Sequence, residues 1–233
     1  MRMSTLALAA SILFVAGAAS AQTRVGPDSK SGRFNQLRDY SFRAPGGLLP
    51  VTPHIVGTAA IGAGVTIYDA RFRRVAAKDL DHPLVRDLAA PLAGLGQDEQ
   101  IFRAQAAVKG RVRWMHDLDN MRVADFWSNA GETLERGTGD SEDIAIATMQ
   151  VLKAAGFPER DLYLSVGRHR QAGQHIVLVA RTDQGFYLVD DRAATPVLAG
   201  ASGYFTPVLT VGQGKSWLHG RRIAGVGGRS TAQ

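Results

Sequence analysis

The stretch Gly137-Thr138-Gly139-Asp140-Ser141-Glu142-Asp143-Ile144-Ala145-Ile146-Ala147 decides how this chain is read. A glycine-rich turn runs into a helix that is apolar on nearly every side. Ile144, Ala147, Val151, Leu152 and Ala155 recur at helical spacing, and Ala145, Ile146 and Met149 broaden the surface. Asp140 or Ser141 starts the helix, and Gly156-Phe157-Pro158 supplies the stop. A helix of this kind is buried. Its first turn carries a hydroxyl where backbone N–H groups are unpaired and the helix end is partly positive. That is where the developing negative charge of a nucleophilic reaction is favoured.

Working towards the carboxyl end, three strands are expected over 162–166, 175–180 and 186–189, with Thr182-Asp183-Gln184-Gly185 as a hairpin turn. The second strand is apolar on both faces and reads as central. His175 opens it and Asp190 closes the next, so one hairpin can bring both side chains together. Ser141, His175 and Asp190 then stand in the order nucleophile, base, orienting carboxylate. The same residues have a purely structural reading. Asp140 and Asp143 make a helix cap, His175 is a satisfied strand histidine, and Asp190 is a turn residue. The string is not a G-x-S-x-G elbow, because Asp143 stands where the closing Gly would be.

Working towards the amino end, a helix is expected over 98–115 with Phe102, Ala106, Val108, Val112 and Met115 on its apolar face. Asp117-Leu118-Asp119-Asn120 ends it in a turn. The acidic spacing suggests a calcium loop, but the glycine and terminal glutamate of an EF-hand are missing. A further helix is expected over 83–95 around Leu84, Leu88 and Leu92, and a strand or loop over 64–68. Beyond the hairpin, 204–211 reads as a strand. Helices followed by an antiparallel sheet make the class α+β.

The whole chain has 233 residues, 45% hydrophobic and 21% charged, which is a globular composition and excludes a disordered polymer. It contains no Cys, which removes disulfides and thiol chemistry. The formal charge of +6 is spread out, with no basic–aromatic run, so no nucleic-acid partner is expected. Arg2, the apolar run from Leu6 to Ala18 and Ala19-Ser20-Ala21 have the layout of a secretory signal peptide. The run is shorter than the ~20 residues that span a bilayer. The expected division is a signal peptide over 1–21, a partly flexible extension over 22–80, a catalytic-type domain over 81–224 and a flexible tail over 225–233.

Asp125-Phe126-Trp127, Gly131-Glu132-Thr133-Leu134, the motif from Gly137 to Ala147, Gly156-Phe157-Pro158, His175-Ile176-Val177-Leu178 and Leu188-Val189-Asp190 follow one another at characteristic spacing. In order and spacing they resemble the bacterial transglutaminase-like cysteine proteinases, the periplasmic family that includes adhesin-releasing proteases. The resemblance covers about residues 100–192. It implies a papain-like, transglutaminase-like core in which the buried helix carries position 141 and packs on the sheet carrying His175 and Asp190. It carries His175 over as base and Asp190 as its orienting acid, with Asp191 as a neighbour. The family's nucleophile is Cys, and position 141 here is Ser. A thiol readily becomes a thiolate beside an imidazolium. A serine hydroxyl instead needs concerted proton removal by a neutral histidine. The resemblance also implies a Ca²⁺ site on the flanking acids Asp140, Glu142 and Asp143. Helix capping accounts for the same acids without metal. Trp127 is either a cleft wall or core, and 167–173 either a loop shaping access or a solvated one.

The chain is therefore expected to be an exported, periplasmic α+β protein. It hydrolyses a peptide bond of a protein or peptide substrate through Ser141, or has lost catalysis and binds a peptide or protein partner in the old cleft. A third reading makes it a calcium-responsive structural protein with no use for His175.

Overall fold

The computed structural model describes residues 50–76 and 80–221. The expected signal peptide, the polar lead-in and the tail over 225–233 lie outside the described residues. Strand β1 (Ala59–Gly62) and helix α1 (Ile67–Ala76) come first. They are followed by α2 (Pro83–Ala89), α3 (Gln97–Arg111), β2 (Arg113–Trp114), α4 (Asp117–Met121), α5 (Ala130–Arg136), β3 (Thr138–Gly139) and α6 (Ser141–Ala154). The second half is β4 (Leu162–His169), β5 (Gly173–Thr182), β6 (Gly185–Val189), β7 (Val197–Leu198), β8 (Phe205–Gly212) and β9 (Lys215–Gly220).

One sheet runs in the order β1-β9-β8-β4-β5-β6-β7, and its neighbouring pairs are antiparallel. The fold is mixed α and antiparallel β. Alternation along the central strands makes two cores. Leu162, Leu164, Val166, Ile176, Leu178 and Ala180 pack with the helices. Tyr163, Val177, Val179, Leu188, Phe205 and Trp217 form a second cluster. β4 and β5 are thus buried on both sides, as the unbroken apolar run in β5 requires.

Helix α6 lies in the larger core with Ile144, Ile146, Ala147, Met149, Val151 and Leu152 all buried. Gly156, at φ +88°, turns the chain out of it. The segment 22–80, expected as an extension ahead of the domain, supplies β1 and α1 to the domain itself. Phe72 and Val75 of α1 join the main core, and β1 pairs with β9.

Several local expectations change. Residues 64–68 are neither strand nor plain loop, because α1 begins at Ile67, with the Asp69 carboxylate accepting from Thr66 and Ser216. The helix expected over 83–95 stops at Ala89 and tightens into a short 3₁₀ turn containing Pro91, whose ring cannot continue an α-helix. The buried face of α3 is Ile101, Ala104, Gln105 and Val108, while Phe102 is exposed. Gln100 and Gln105 enter the core because their amides donate to the carbonyl oxygens of Leu92, Ala155 and Asp190. The chain leaves α3 at Val112, and β2 pairs in parallel with β3 beside α6. Residues 167–173 are mostly strand, with the turn confined to 170–172. Strand β9 has no counterpart in the sequence reading.

Gly167 is where the sheet is tightest. It pairs with His175 on β5 and with Pro207 on β8, at a register shift. A Cβ there would sit 2.4 Å from the backbone oxygen of Thr206. Gly167→Ala is expected to destabilise the fold by about 1–3 kcal/mol in urea denaturation. Gly200→Ala, which meets nothing within 4 Å, should stay within about 0.5 kcal/mol of wild type.

Candidate active site

The amino end of α6 is positioned by a buried charge. Asp143 has no exposure. It accepts from the Ser128 amide at 2.7 Å, the Ser128 hydroxyl at 3.2 Å and the Arg136 guanidinium at 2.9 Å. These contacts tie α6 to α5 and to the segment before it. Helix α5 is itself bounded by an Asn129–Glu132 capping box and by Gly137 in the left-handed region. Asp140 caps α6, its side chain accepting from the Asp143 amide. Ser141 follows as the first helical residue and is 9% exposed.

Ser141, Asp140, Glu142 and His175 line one cavity of about 230 Å³. Trp114, Trp127, Tyr68 and Arg71 form part of its wall. The Trp127 indole N–H is buried and makes no hydrogen bond, so the residue serves both as core and as wall. Arg71 ion-pairs with Asp125 and sits 5.9 Å from both the Tyr68 and Trp127 rings. Arg192 lies over the Trp114 ring at 5.7 Å.

The hairpin of β5 and β6 brings His175 and Asp190 together. His175 Nε2 is 2.8 Å from Asp190 Oδ1 and 3.2 Å from Asp191 Oδ1. A single N–H serves Asp190, and Asp191 adds charge. Asp190 is fixed in turn by the Arg192 amide at 2.9 Å, and its backbone oxygen accepts from Gln105 at 2.6 Å. Burial pulls the His175 pKa down, but its contacts with the two carboxylates outweigh that and hold it at about 9. Burial opposes ionisation of Asp190, yet the His175 contact and the Arg192 amide keep its pKa below the usual value. The pair is therefore an imidazolium and a carboxylate at neutral pH. Ser141 Oγ does not join it, and instead donates to Glu142 Oε2 at 3.0 Å.

A second acidic group adjoins Ser141. Asp117, Asp140 and Glu142 each place a carboxylate oxygen within 4.8 Å of the others. Asp117 Oδ1 is buried and has no hydrogen-bond partner. Burial, then the charges of Glu142, Asp143 and Asp117, push Asp140 up to about 9. Burial likewise raises Asp117 and Glu142. Three hard oxygens held together against their own repulsion suit a Ca²⁺-like cation. Asp143, grouped with Asp140 and Glu142 in the sequence reading, is outside this cluster and faces Ser128 and Arg136. Asp117, read there as a turn residue, is inside it. The acidic spacing after α3 hinted at a cation near Asp117, but without Asp140 and Glu142 as its partners. No sequence signal marks Tyr68, Arg71 or Trp114, because they reach the cavity from elements far apart in the chain.

This site stands on a recognised framework. Residues 94–208 match the profile of the bacterial transglutaminase-like cysteine proteinases (BTLCP). The match takes in α6, the hairpin and all three of Ser141, His175 and Asp190. Calcium-bound LapG of Legionella pneumophila superposes with a TM-score of 0.52 at 20% identity, covering 65% of this chain and 86% of that one. The EGTA-treated form gives 0.53 at 20% identity, covering 69% and 90%. At that identity the likeness shows the fold, which is transglutaminase-like. No curated protein matches the chain. Together the matches support a peptidase-family protein.

The charge on His175 has a measurable consequence for stability. Its folded pKa of about 9 lies above the ordinary 6.5. The stabilisation it contributes is therefore complete below pH 6.5 and is lost as pH rises through about 9. Between about pH 6 and about pH 10, wild type should lose about 3 kcal/mol more than His175→Gln in urea denaturation.

Proposed function

We propose that this chain is an exported protein of the transglutaminase-like peptidase type whose cleft takes a peptide segment of a protein partner and holds it with little turnover at neutral pH. The observation that carries this reading is the pairing in the cleft. His175 is clamped by two carboxylates as an imidazolium, and Ser141 gives its hydrogen bond to Glu142. An imidazolium can stabilise a thiolate, which is the chemistry of the family's Cys at this position. It cannot take a proton from a serine hydroxyl, whose attack requires a neutral base. With Ser at 141 the framework keeps the shape of a peptidase and lacks a matched nucleophile.

A second reading is hydrolysis through Ser141 once His175 is neutral. It is favoured by the shared cavity that Ser141 and His175 line, and by the use of Nε2 for Asp190, which leaves Nδ1 as the nitrogen that could take the proton. This route would gain with pH through about 9.

Asp117, Asp140 and Glu142 would hold Ca²⁺, a cation that would offset the crowded negative charge beside Ser141. The orphaned Asp117 Oδ1 supports this assignment. The calcium-bound LapG structure is consistent with it.

A fluorophosphonate probe read by intact mass separates the two readings. Wild type in calcium should stay unlabelled at neutral pH. Stoichiometric labelling that disappears in Ser141→Ala would overturn the binding reading. Ser141→Cys should create a thiol that iodoacetamide alkylates at about pH 6 at least ~10-fold faster than in Ser141→Cys/His175→Ala, as an ion-paired thiolate requires. Peptides selected by wild type from a displayed random library should bind Trp114→Ala at least ~10-fold more weakly, the loss of one aromatic anchor.

Calcium is tested separately. It should raise the unfolding temperature of wild type by several degrees and leave Asp117→Asn and Glu142→Gln unmoved, since a ligand of the folded state stabilises by mass action. No shift in wild type would remove calcium from the proposal.

A further inference from the structure

His169 is the second buried histidine beside the cleft, and nothing above uses it. It ends β4, is 7% exposed, and packs in tilted contact, at 5.2 Å between ring centroids, on both the His175 and the Tyr204 rings. Its Nδ1 accepts from the amides of Gln171 and Ala172, each at 3.1 Å. Both amides belong to the turn that leads into β5, and Ala172 lines the cavity. Accepting on Nδ1 places the ring proton on Nε2. Burial lowers the pKa of His169 and keeps it neutral, with the charges of Asp190, Asp191, His175 and Arg192 around it. Its Nε2 stands 3.9 Å from Asp190 Oδ2, the oxygen left without a hydrogen-bond partner. That spacing is too long for a hydrogen bond. It is short enough for the N–H dipole to act on the carboxylate and for the ring to keep bulk water from it.

We propose that His169 is a positioning residue that ties the turn at the cavity mouth to the His175–Asp190 pair. One nitrogen holds the Gln171–Ala172 turn, and the other faces the free oxygen of Asp190. The inference rests on the reading of His175 and Asp190 as the working pair of the cleft.

The test follows the His175 ring-proton resonance with pH by NMR, in the full mature chain without ligand. His169→Phe keeps an aromatic ring in place and removes both nitrogens. His169→Gln keeps an acceptor and a donor. In His169→Phe the His175 midpoint should move by at least ~0.5 pH unit, about a threefold change in proton affinity. In His169→Gln it should stay within ~0.2 unit of wild type. An unmoved midpoint in His169→Phe would reduce His169 to packing and overturn the proposal. So would a midpoint in His169→Gln that moves as far as in His169→Phe. The readout needs neither turnover nor a peptide, so its failure is distinct from failure of the fluorophosphonate and peptide-binding tests.

Discussion

Asp143 is a carboxylate without solvent exposure, one turn into an apolar helix, and the arrangement of the cleft depends on how it is satisfied. Burying such a group unpaired is costly enough that it would take up a proton or pull the helix end outward. Ser128 and Arg136 oppose both by meeting it with two donors and one charge. Burial still raises its pKa to about 7, with the Ser128 amide and Arg136 acting against that rise. The consequence is geometric. The segment after Trp127, helix α5 and the first turn of α6 become one unit, and Ser141 is held at the cavity floor. Gly139 belongs to the same constraint, since a Cβ there would fall 2.7 Å from the Asp143 Cβ.

The cleft is built around two groups of charge that flank Ser141. On one side, Asp190 and Asp191 share a single imidazolium. On the other, Asp117, Asp140 and Glu142 crowd together with burial opposing their ionisation. The serine hydroxyl is drawn to the second group, because a carboxylate is a better acceptor than a histidine that already carries its proton. The protonation state of the histidine is thus set by its neighbours and not by the residue at 141. A framework that favours an ion pair suits a thiol, and it disfavours the general-base chemistry a hydroxyl needs.

The walls of the cleft come from elements that share no local pattern. Tyr68 and Arg71 arrive on α1, Trp114 on the short parallel pair of β2 and β3, and Arg192 from the turn after β6. What stood out in the chain were Ser141, its acidic flank from Asp140 to Asp143, Trp127, and His175 with Asp190 on the hairpin. Asp117 shows the difference most clearly. By spacing it is a turn residue after α3 or part of a local acidic loop, yet in the fold its carboxylate joins those of Asp140 and Glu142, far from it in the chain. The face of α3 was legible only in part for a related reason. Gln100 and Gln105 are polar in any hydropathy pattern, and they become core residues only because carbonyl groups of Leu92, Ala155 and Asp190 are there to receive them.

What the amino-acid sequence determined by itself is what near neighbours determine. It set the start and stop of α6, whose cap and glycine lie within its own ends. It also set the paired strands on either side of Thr182–Gly185, whose apolar runs and turn are local, and so the approach of His175 to Asp190. Tertiary structure alone decided which acids face one another, which histidine nitrogen is left open and to which group Ser141 donates its hydrogen bond. Charge, burial and hydrogen-bond partnership depend on distances between segments far apart in the chain, and no residue carries those distances in its identity.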